Sequence, residues 1–552
     1  MRLLAQDPLL PALLVVLVIA AVARCVLLTA HATEEDFFIT LRYARNIAAG
    51  HGFVYNLGEP VLGTTTPLYT LGLALSIYLR LDPIVTAKLL GIGADLVSCL
   101  AAYSFGRTVG RPGAGLAAAL CLALLPTNLI WATKGMEVEL VAASAAVAWA
   151  AWAAGNDTLA WAAAGALAVL RIDGLILAPI MLVATLIRSR RIPWRGLVLF
   201  TAILLPWLLF ASKVFGSPIP ASLQAKLIVY GRGQHGRFPR LLPFLGIMTH
   251  RQGAILALGW LFALCAFTVS LYRCRADPST LDCGVENCRS KTPPEWLLIP
   301  AAVWVMAHYA GMAFSKVFLF GWYFVPPTPI YYLVAMVGWN IAIAGVWRVR
   351  GLGPLPPCEG GGKGEVTTQT PRPSNEVQSN RDRKPQGIHG AIAPTALAYA
   401  GTTAAVGLAL GAIFVRPALR DLQDTQAVED RLRVPIGIWL RDHARPGDRV
   451  MLEPIGYIGY LSGLRVLDTV GLVSPEVLPC YAAQVPMPYH AMWKQFRPDW
   501  ILLRAGEWNA LQRYELALPP SERLVASYRR VRGWRDPAIP NSRVSFSLFQ
   551  KD

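Results

Sequence analysis

The chain repeats one pattern along most of its length: apolar runs of roughly bilayer-crossing size, separated by short polar connections. They lie near residues 9–30, 84–106, 112–130, 138–154, 158–170, 174–187, 194–212, 252–272, 296–314, 324–346 and 391–415. Hydrocarbon offers backbone groups no water to bond, so runs of about 20 apolar residues are stable there only as helices. The pattern predicts a polytopic α-helical membrane protein with about eleven crossings. Composition agrees, because 54% hydrophobic and 15% charged residues over 552 positions, with a mean hydropathy of +0.43, are too apolar for a water-soluble globule.

A net charge of +17 would suit a nucleic-acid binder, but the basic residues fall in the short connections, where they set orientation. Arg107 and Arg111, Arg188 to Arg195, Arg273 and Arg275, and Arg348 and Arg350 all fall on the side where the chain starts. The positive-inside rule makes that side cytoplasmic and excludes nucleic acid as the partner. Two assignments keep this sidedness. Residues 67–81 are apolar but short, and read as an interfacial or re-entrant helix on the outer face. Residues 158–170 and 174–187 read as two crossings, with the charged break at Arg171 and Asp173 facing outward. The run 9–30 ends in Ala30-His31-Ala32, a signal-peptidase-like site, yet it is longer than a signal core and reads as an uncleaved anchor.

The domain reading follows: a transmembrane core over 1–346 with an outer loop at 31–66, a disordered cytoplasmic linker over 347–390, a last span at 391–415, and a small α/β extracytoplasmic domain over 416–552. The linker is rich in Gly, Pro, Ser and charge and cannot support a core. The tail alternates short apolar runs with amphipathic pieces and a Pro-Gly-Asp turn. Nine cysteines form no disulfide framework, and no His completes a zinc spacing with Cys274, Cys283 and Cys288.

On this topology the unusual polar elements collect on the outer side. They are the loop 31–66 with its adjacent carboxylates Glu35 and Asp36, the Lys134–Glu137 turn, the Arg171–Asp173 break, the loop 213–250 and the aromatic turn near Trp322 and Tyr323. Polar groups at membrane depth are tolerated where they line a protein cavity, so this side is where an active site is expected.

The ordered motifs Glu35-Asp36-Phe-Phe-Ile-Thr-Leu-Arg42-Tyr43, Gly50-His51-Gly52, Gly63-Thr-Thr-Thr-Pro67 and Leu467-Asp468-Thr-Val-Gly471 resemble the bacterial GT-C integral-membrane glycosyltransferases. The subgroup they resemble is the mycobacterial terminal arabinofuranosyltransferases, with aminoarabinose transferases and protein O-mannosyltransferases more distant. The resemblance implies a bacterial inner-membrane enzyme with a multi-pass core and an acidic motif in the first outer loop. It also implies a polyprenyl-phosphate sugar as donor and a glycan, lipid or protein acceptor outside the cytoplasm. The subgroup carries Asp-Asp where this chain has Glu35-Asp36, which favours Asp36 as the reacting carboxylate.

Moving a sugar from a lipid phosphate to a hydroxyl needs a base at the acceptor oxygen and cations at the departing phosphate. Asp36 is read as the base, with Glu35 as helper or metal ligand; the competing reading is that the pair caps the helix starting there. The phosphate candidates are Arg24, Arg42, Arg45, Lys134, Arg171 and Lys226, the last at a position where the family also has a lysine. Each could instead be a snorkelling side chain. Glu137, Asp173, Tyr43, Trp322 and Tyr323 are candidates to touch the acceptor or to support residues that do, against helix capping for Glu137 and an interfacial belt for the aromatics. No metal ligand set is readable, although the carboxylates could hold a divalent cation. A secondary transporter or lipid flippase also explains many spans and buried charges, but it predicts two related halves, and none are visible. A non-catalytic membrane subunit would leave Asp36 dispensable.

Overall fold

The computed structural model describes residues 7–230, 251–276, 294–315, 319–349, 394–482, 484–537 and 545–552. The expected linker 347–390 falls almost wholly outside the described residues, as do Cys283, Cys288 and Lys316.

The first half is a helical bundle: α1 Leu10–Leu28, α2 Glu35–Ala48, α3 Pro67–Tyr78, α4 Pro83–Thr108, α5 Pro112–Leu124, α6 Pro126–Trp131, α7 Val138–Ala153, α8 Asp157–Leu170, α9 Leu177–Ser189, α10 Trp194–Phe215 and α11 Ala221–Val229. It continues through α12 Arg251–Ala276, α13 Leu298–Phe314, α14 Thr328–Val349 and the 35-residue α15 Pro394–Val428. Proline in the first turn starts α3, α4, α5 and α6, where a missing N–H costs nothing. Asp82 caps α4 by accepting from the amides of Ile84 and Val85. Seven helices of the described residues are long and apolar enough to cross a bilayer, and five shorter ones are apolar. The chain is a polytopic membrane protein.

Contacts at helix ends give the directions. Asp7, just before α1, meets the last turn of α4 through Arg107 at 3.3 Å and Tyr103 at 2.7 Å. The start of α1 and the end of α4 therefore share one face. Since the end of α1 leads straight to α2 on the other face, the short α3 lies between α2 and the start of α4 there. Arg188, at the end of α9, donates to the Trp152 carbonyl near the end of α7 at 2.7 Å, so α8 and α9 form an out-and-back pair around the Arg171 break. Arg111 joins Glu295 at 2.7 Å and Asn340 at 3.0 Å on the first face.

Arg24 lies inside the bundle, away from any phosphate position. α5 stops at Leu125 because Pro126 has no N–H, which leaves carbonyls without helical partners. The fully buried Arg24 guanidinium donates to Ala123 and, at 2.8 Å, to Leu122, and pairs with Asp95 at 2.7 Å. A buried cation here satisfies a broken helix.

After a π-helical turn at Glu429–Arg433 come α16 Val434–His443, α17 Tyr457–Ser462, α18 Pro488–Phe496 and α19 Ala505–Leu516 around a five-stranded sheet. Its strands β1 Arg449–Leu452, β2 Arg465–Asp468, β3 Trp500–Arg504, β4 Tyr528–Arg535 and β5 Ser545–Lys551 lie in the order β2-β1-β3-β5-β4. β2, β1 and β3 are parallel, and the β4–β5 hairpin adds antiparallel to β3. One face packs on the bundle: Ile39 and Tyr43 of α2 and Ala211 of α10 share a core with Ile436, Ile458, Trp500 and Leu548. The other is covered by α18 and α19, with Trp493, Leu503 and Leu511 buried.

Candidate active site

The N-terminus of α2 opens on a cavity of about 270 Å³. Asp36 and Thr40 come from α2, Thr64 to Thr66 from the loop before α3, and Glu137 from the turn before α7. Arg171 and Asp173 come from the α8–α9 break, Ser222 and Lys226 from α11, and Trp322 and Tyr323 from the turn between α13 and α14. Leu472, beyond β2, closes it from the sheet side. Every outer element expected from the sequence contributes to this one space, and Asp36 and Lys226 share it.

The two adjacent carboxylates part company. Helical neighbours are separated by about 100° around the axis, so they cannot both face one cavity. Glu35 turns toward the sheet domain, where it accepts from the amides of Gly456 at 2.7 Å and Tyr457 at 3.2 Å and pairs with Arg433 at 3.5 Å. It caps α17, which leaves it no helper or ligand role in the cavity. Asp36 faces the cavity. Burial pushes its carboxyl up to about 6, opposed by the nearby Lys226 and reinforced by Glu34, Glu35 and Glu137.

Among the described residues Lys226 forms no ion pair. Its ammonium lies 3.5 Å from Tyr323 Oη and 5.6 Å from the Phe320 ring. Arg171 is more engaged: it meets Asp173 in two contacts of 3.0 and 2.9 Å and Glu137 at 3.4 Å, and sits 5.3 Å from the Tyr323 ring. Glu137 stands at the position before α7 but makes no capping bond there, and burial raises its carboxyl above the usual range. Trp322 stacks on Phe320 at 4.3 Å with a 4° tilt.

The remaining candidates stand outside the cavity. Arg42 is a buried strut, donating to the carbonyls of Tyr55 at 2.9 Å, Gly459 at 2.6 Å and Leu464 at 2.7 Å, so it ties α2 to the sheet domain. Lys134 pairs with Glu34 at 2.8 Å over the Trp131 ring. Tyr43 acts on the cavity through its wall: its hydroxyl donates to Val61 O at 2.6 Å and accepts from Gly63 N at 2.9 Å, fixing the loop that carries Thr64. His51 sits in a turn between Gly50 and Gly52, both at positive φ.

Sequence reasoning assigned no role to Thr64, Thr65, Thr66 or Ser222. The signal was present in Thr-Thr-Thr-Pro, since Pro67 starts α3 and the three threonines that line the cavity stand just before it, at the end of a helix that suits anions. Asp468 was likewise given no chemistry. Its buried carboxylate accepts from the amides of Val470 at 2.8 Å, Leu472 at 2.5 Å and Val473 at 3.2 Å, which shapes the turn that presents Leu472. A second, apolar space of about 220 Å³ adjoins the first, sharing Thr64, Thr65 and Ile172 and lined by Leu204, Trp207, Leu208 and Pro218.

Of the carboxylates near the cavity, Glu137 and Asp173 are committed to Arg171 and Glu35 points away, which leaves Asp36, with Lys226 near it, as the carboxylate able to contribute to a divalent ion. Among the described residues no group of three or more His, Cys, Asp or Glu side chains could hold a metal.

These features define a multi-pass helical membrane protein with the GT-C fold, the fold of the glycosyltransferases its motifs resemble. The chain is similar to ArnT from Cupriavidus metallidurans bound to undecaprenyl phosphate, at 14% identity and a TM-score of 0.54, with 97% of each chain covered. It is also similar to the oligosaccharyltransferase of Archaeoglobus fulgidus in complex with zinc and sulfate, at 12% identity and a TM-score of 0.50, covering 90% of this chain and 69% of that one. The arabinofuranosyltransferase AftD from Mycobacteria aligns at 14% identity with a TM-score of 0.46 over 97% of this chain and 40% of that one, a likeness too slight to build on. At these identities the likeness is one of fold. A family described as a domain of unknown function, DUF8728, matches residues 420–548, and no curated protein matches the sequence.

Proposed function

We propose that the protein is a membrane glycosyltransferase that moves a sugar from a polyprenyl-phosphate donor to a hydroxyl of an extracytoplasmic acceptor, with inversion. The observation that carries this reading is one cavity holding a half-buried carboxylate with a raised pKa near a cation that, among the described residues, forms no ion pair. The acceptor oxygen attacks the anomeric carbon and its proton passes to Asp36, while the bond from that carbon to the phosphate oxygen breaks. The departing lipid phosphate carries its charge to Lys226, with the hydroxyls of Thr64 to Thr66 beside it. Arg171, held by Asp173 and Glu137, acts as a fixed wall and secondary source of positive field. The adjoining apolar space would take the first prenyl units. ArnT bound to undecaprenyl phosphate has the same fold, which supports the donor class.

In this reading the chain lies in a bacterial inner membrane with eleven crossings, formed by α1, α4, α5, α7, α8, α9, α10, α12, α13, α14 and α15. The helix-end contacts that set α4, α8 and α9 support the count, as does the arginine distribution. The N-terminus is then cytoplasmic, and residues 416–552 form an extracytoplasmic α/β domain, supported by the sheet from Arg449 to Lys551.

The test is to incubate purified protein with a panel of polyprenyl-phosphate sugars and measure release of lipid phosphate. Native protein should release it with at least one donor and Asp36→Asn with none. Equal release by both would remove Asp36 from the chemistry, and no release from any donor would favour a transporter or a non-catalytic subunit.

A further inference from the structure

The outer edge of the sheet carries charge that the cavity does not use. β4 is the edge strand, and it holds Arg529, Arg530, Arg532 and Arg535, all exposed. Among the described residues none of the four pairs with a carboxylate; Arg529 meets only Gln550, at 3.4 Å. Charged edges do protect sheets from pairing with other chains, but one or two lysines suffice for that. Here the arginines are sorted.

A bulge between Arg530 and Arg532 does the sorting. Strict alternation would put Tyr528 and Trp534 on one face, yet Tyr528 packs on Trp493 behind the sheet while Trp534 joins Trp439 and Trp500 in front. The extra residue thus places Arg529 and Arg532 on the front face with Trp534. The Arg532 guanidinium lies 5.3 Å from the Trp534 ring and 6.0 Å from Trp439. Exposed His443 stacks on Trp439 at 4.1 Å and a 10° tilt, and exposed Arg445 follows at the end of α16. The result is an exposed set of Arg529, Arg532, His443 and Arg445 beside the half-buried Trp439, with Trp534 buried beneath it.

Its height argues about the ligand. In the topology proposed above α15 leaves the bilayer near exposed Arg416 and Arg420, and Arg431, which pairs with Asp536 at 3.2 Å, lies eleven residues past Arg420. A helix rising ~1.5 Å per residue puts that point about 16 Å farther out, beyond a physiological screening length of ~8 Å. Lipid headgroups are too far to satisfy these cations.

We propose that this face is a second binding site, for an acidic saccharide. The exposed His443 ring and the exposed part of Trp439 receive the C–H face of a sugar, and Arg529 and Arg532 take its carboxylates in paired hydrogen bonds. The site stands whether or not the cavity transfers a sugar, because binding is measured without turnover.

The experiment uses the full chain in uncharged detergent and fluorescent oligogalacturonate, followed by anisotropy, with a neutral maltooligosaccharide of equal length as control. Oligogalacturonate should bind, weaken as salt rises, and lose about tenfold in affinity in Arg529→Gln/Arg532→Gln, the scale of one or two charged hydrogen bonds. His443→Ala, which leaves both arginines in place, should weaken binding to a smaller extent, and both variants should melt as the native chain does. Unchanged binding by the double variant, or equal binding of the neutral sugar, would overturn the proposal. So would a double variant that binds normally but self-associates on a sizing column, since the arginines would then be edge protection alone.

Discussion

Asp36 can serve as a base only when ionised, and its surroundings set the pH at which that happens. Burial raises its pKa to about 6, so turnover at low substrate should be lost as pH falls through about 6 and level off above it. Lys226 lowers that value, so Lys226→Met should move the acidic limb to higher pH as well as weaken donor binding. A pH–rate profile of both proteins checks the sign; a limb that stays in place would separate the two residues electrostatically. Glu35 belongs to a different account. Removing its carboxylate leaves the Gly456 and Tyr457 amides unsatisfied, so Glu35→Ala should cost about 1–3 kcal/mol of stability, and the loss of a neighbouring negative charge should move the acidic limb to lower pH without abolishing turnover. The acidic pair was legible in the sequence, but which member faces the cavity was not. That depends on the phase of α2, which tertiary contacts fix.

The bundle was largely legible because hydrophobic length is a local property. The short α3 and the break between α8 and α9 both follow from counting apolar residues and charges. Arg24 was not legible, because its partners are carbonyls exposed about a hundred residues later, where Pro126 interrupts α5. A prediction separates this capping role from a ligand role. Arg24→Leu leaves Asp95 buried without its partner, a loss of about 3–5 kcal/mol, whereas Arg24→Leu/Asp95→Leu removes both charges and should recover part of it. Thermal unfolding in detergent, read as a double-mutant cycle, measures the coupling. If Arg24 instead held donor phosphate, the double variant would be stable and would lose donor affinity outright.

At the scale of the whole molecule, the cavity is complete only when the sheet domain sits on α2, and no local pattern in the sequence announces that dependence. Leu472 reaches the cavity from beyond β2, and the join is held by Glu35 at the start of α17, by Arg42 on the carbonyls of Gly459 and Leu464, and by Tyr55 on Ile455 O at 2.5 Å. The join leaves no room for side chains at two glycines. A Cβ at Gly456 would stand 2.0 Å from Glu35 O, and one at Gly459 would stand 2.0 Å from Tyr55 Oη. Backbone cannot yield at the first position without shifting α17, so Gly456→Ala should loosen the sheet domain from the bundle while the bundle's own contacts persist. The expected result is more than tenfold lower turnover, by misplacement of the cavity wall at unchanged Asp36 chemistry. Amide exchange should rise over β2 to α17 and along α2, with protection in α4, α5 and α7 retained. A variant that keeps full turnover with those segments exposed would show that the cavity works without its sheet-side wall.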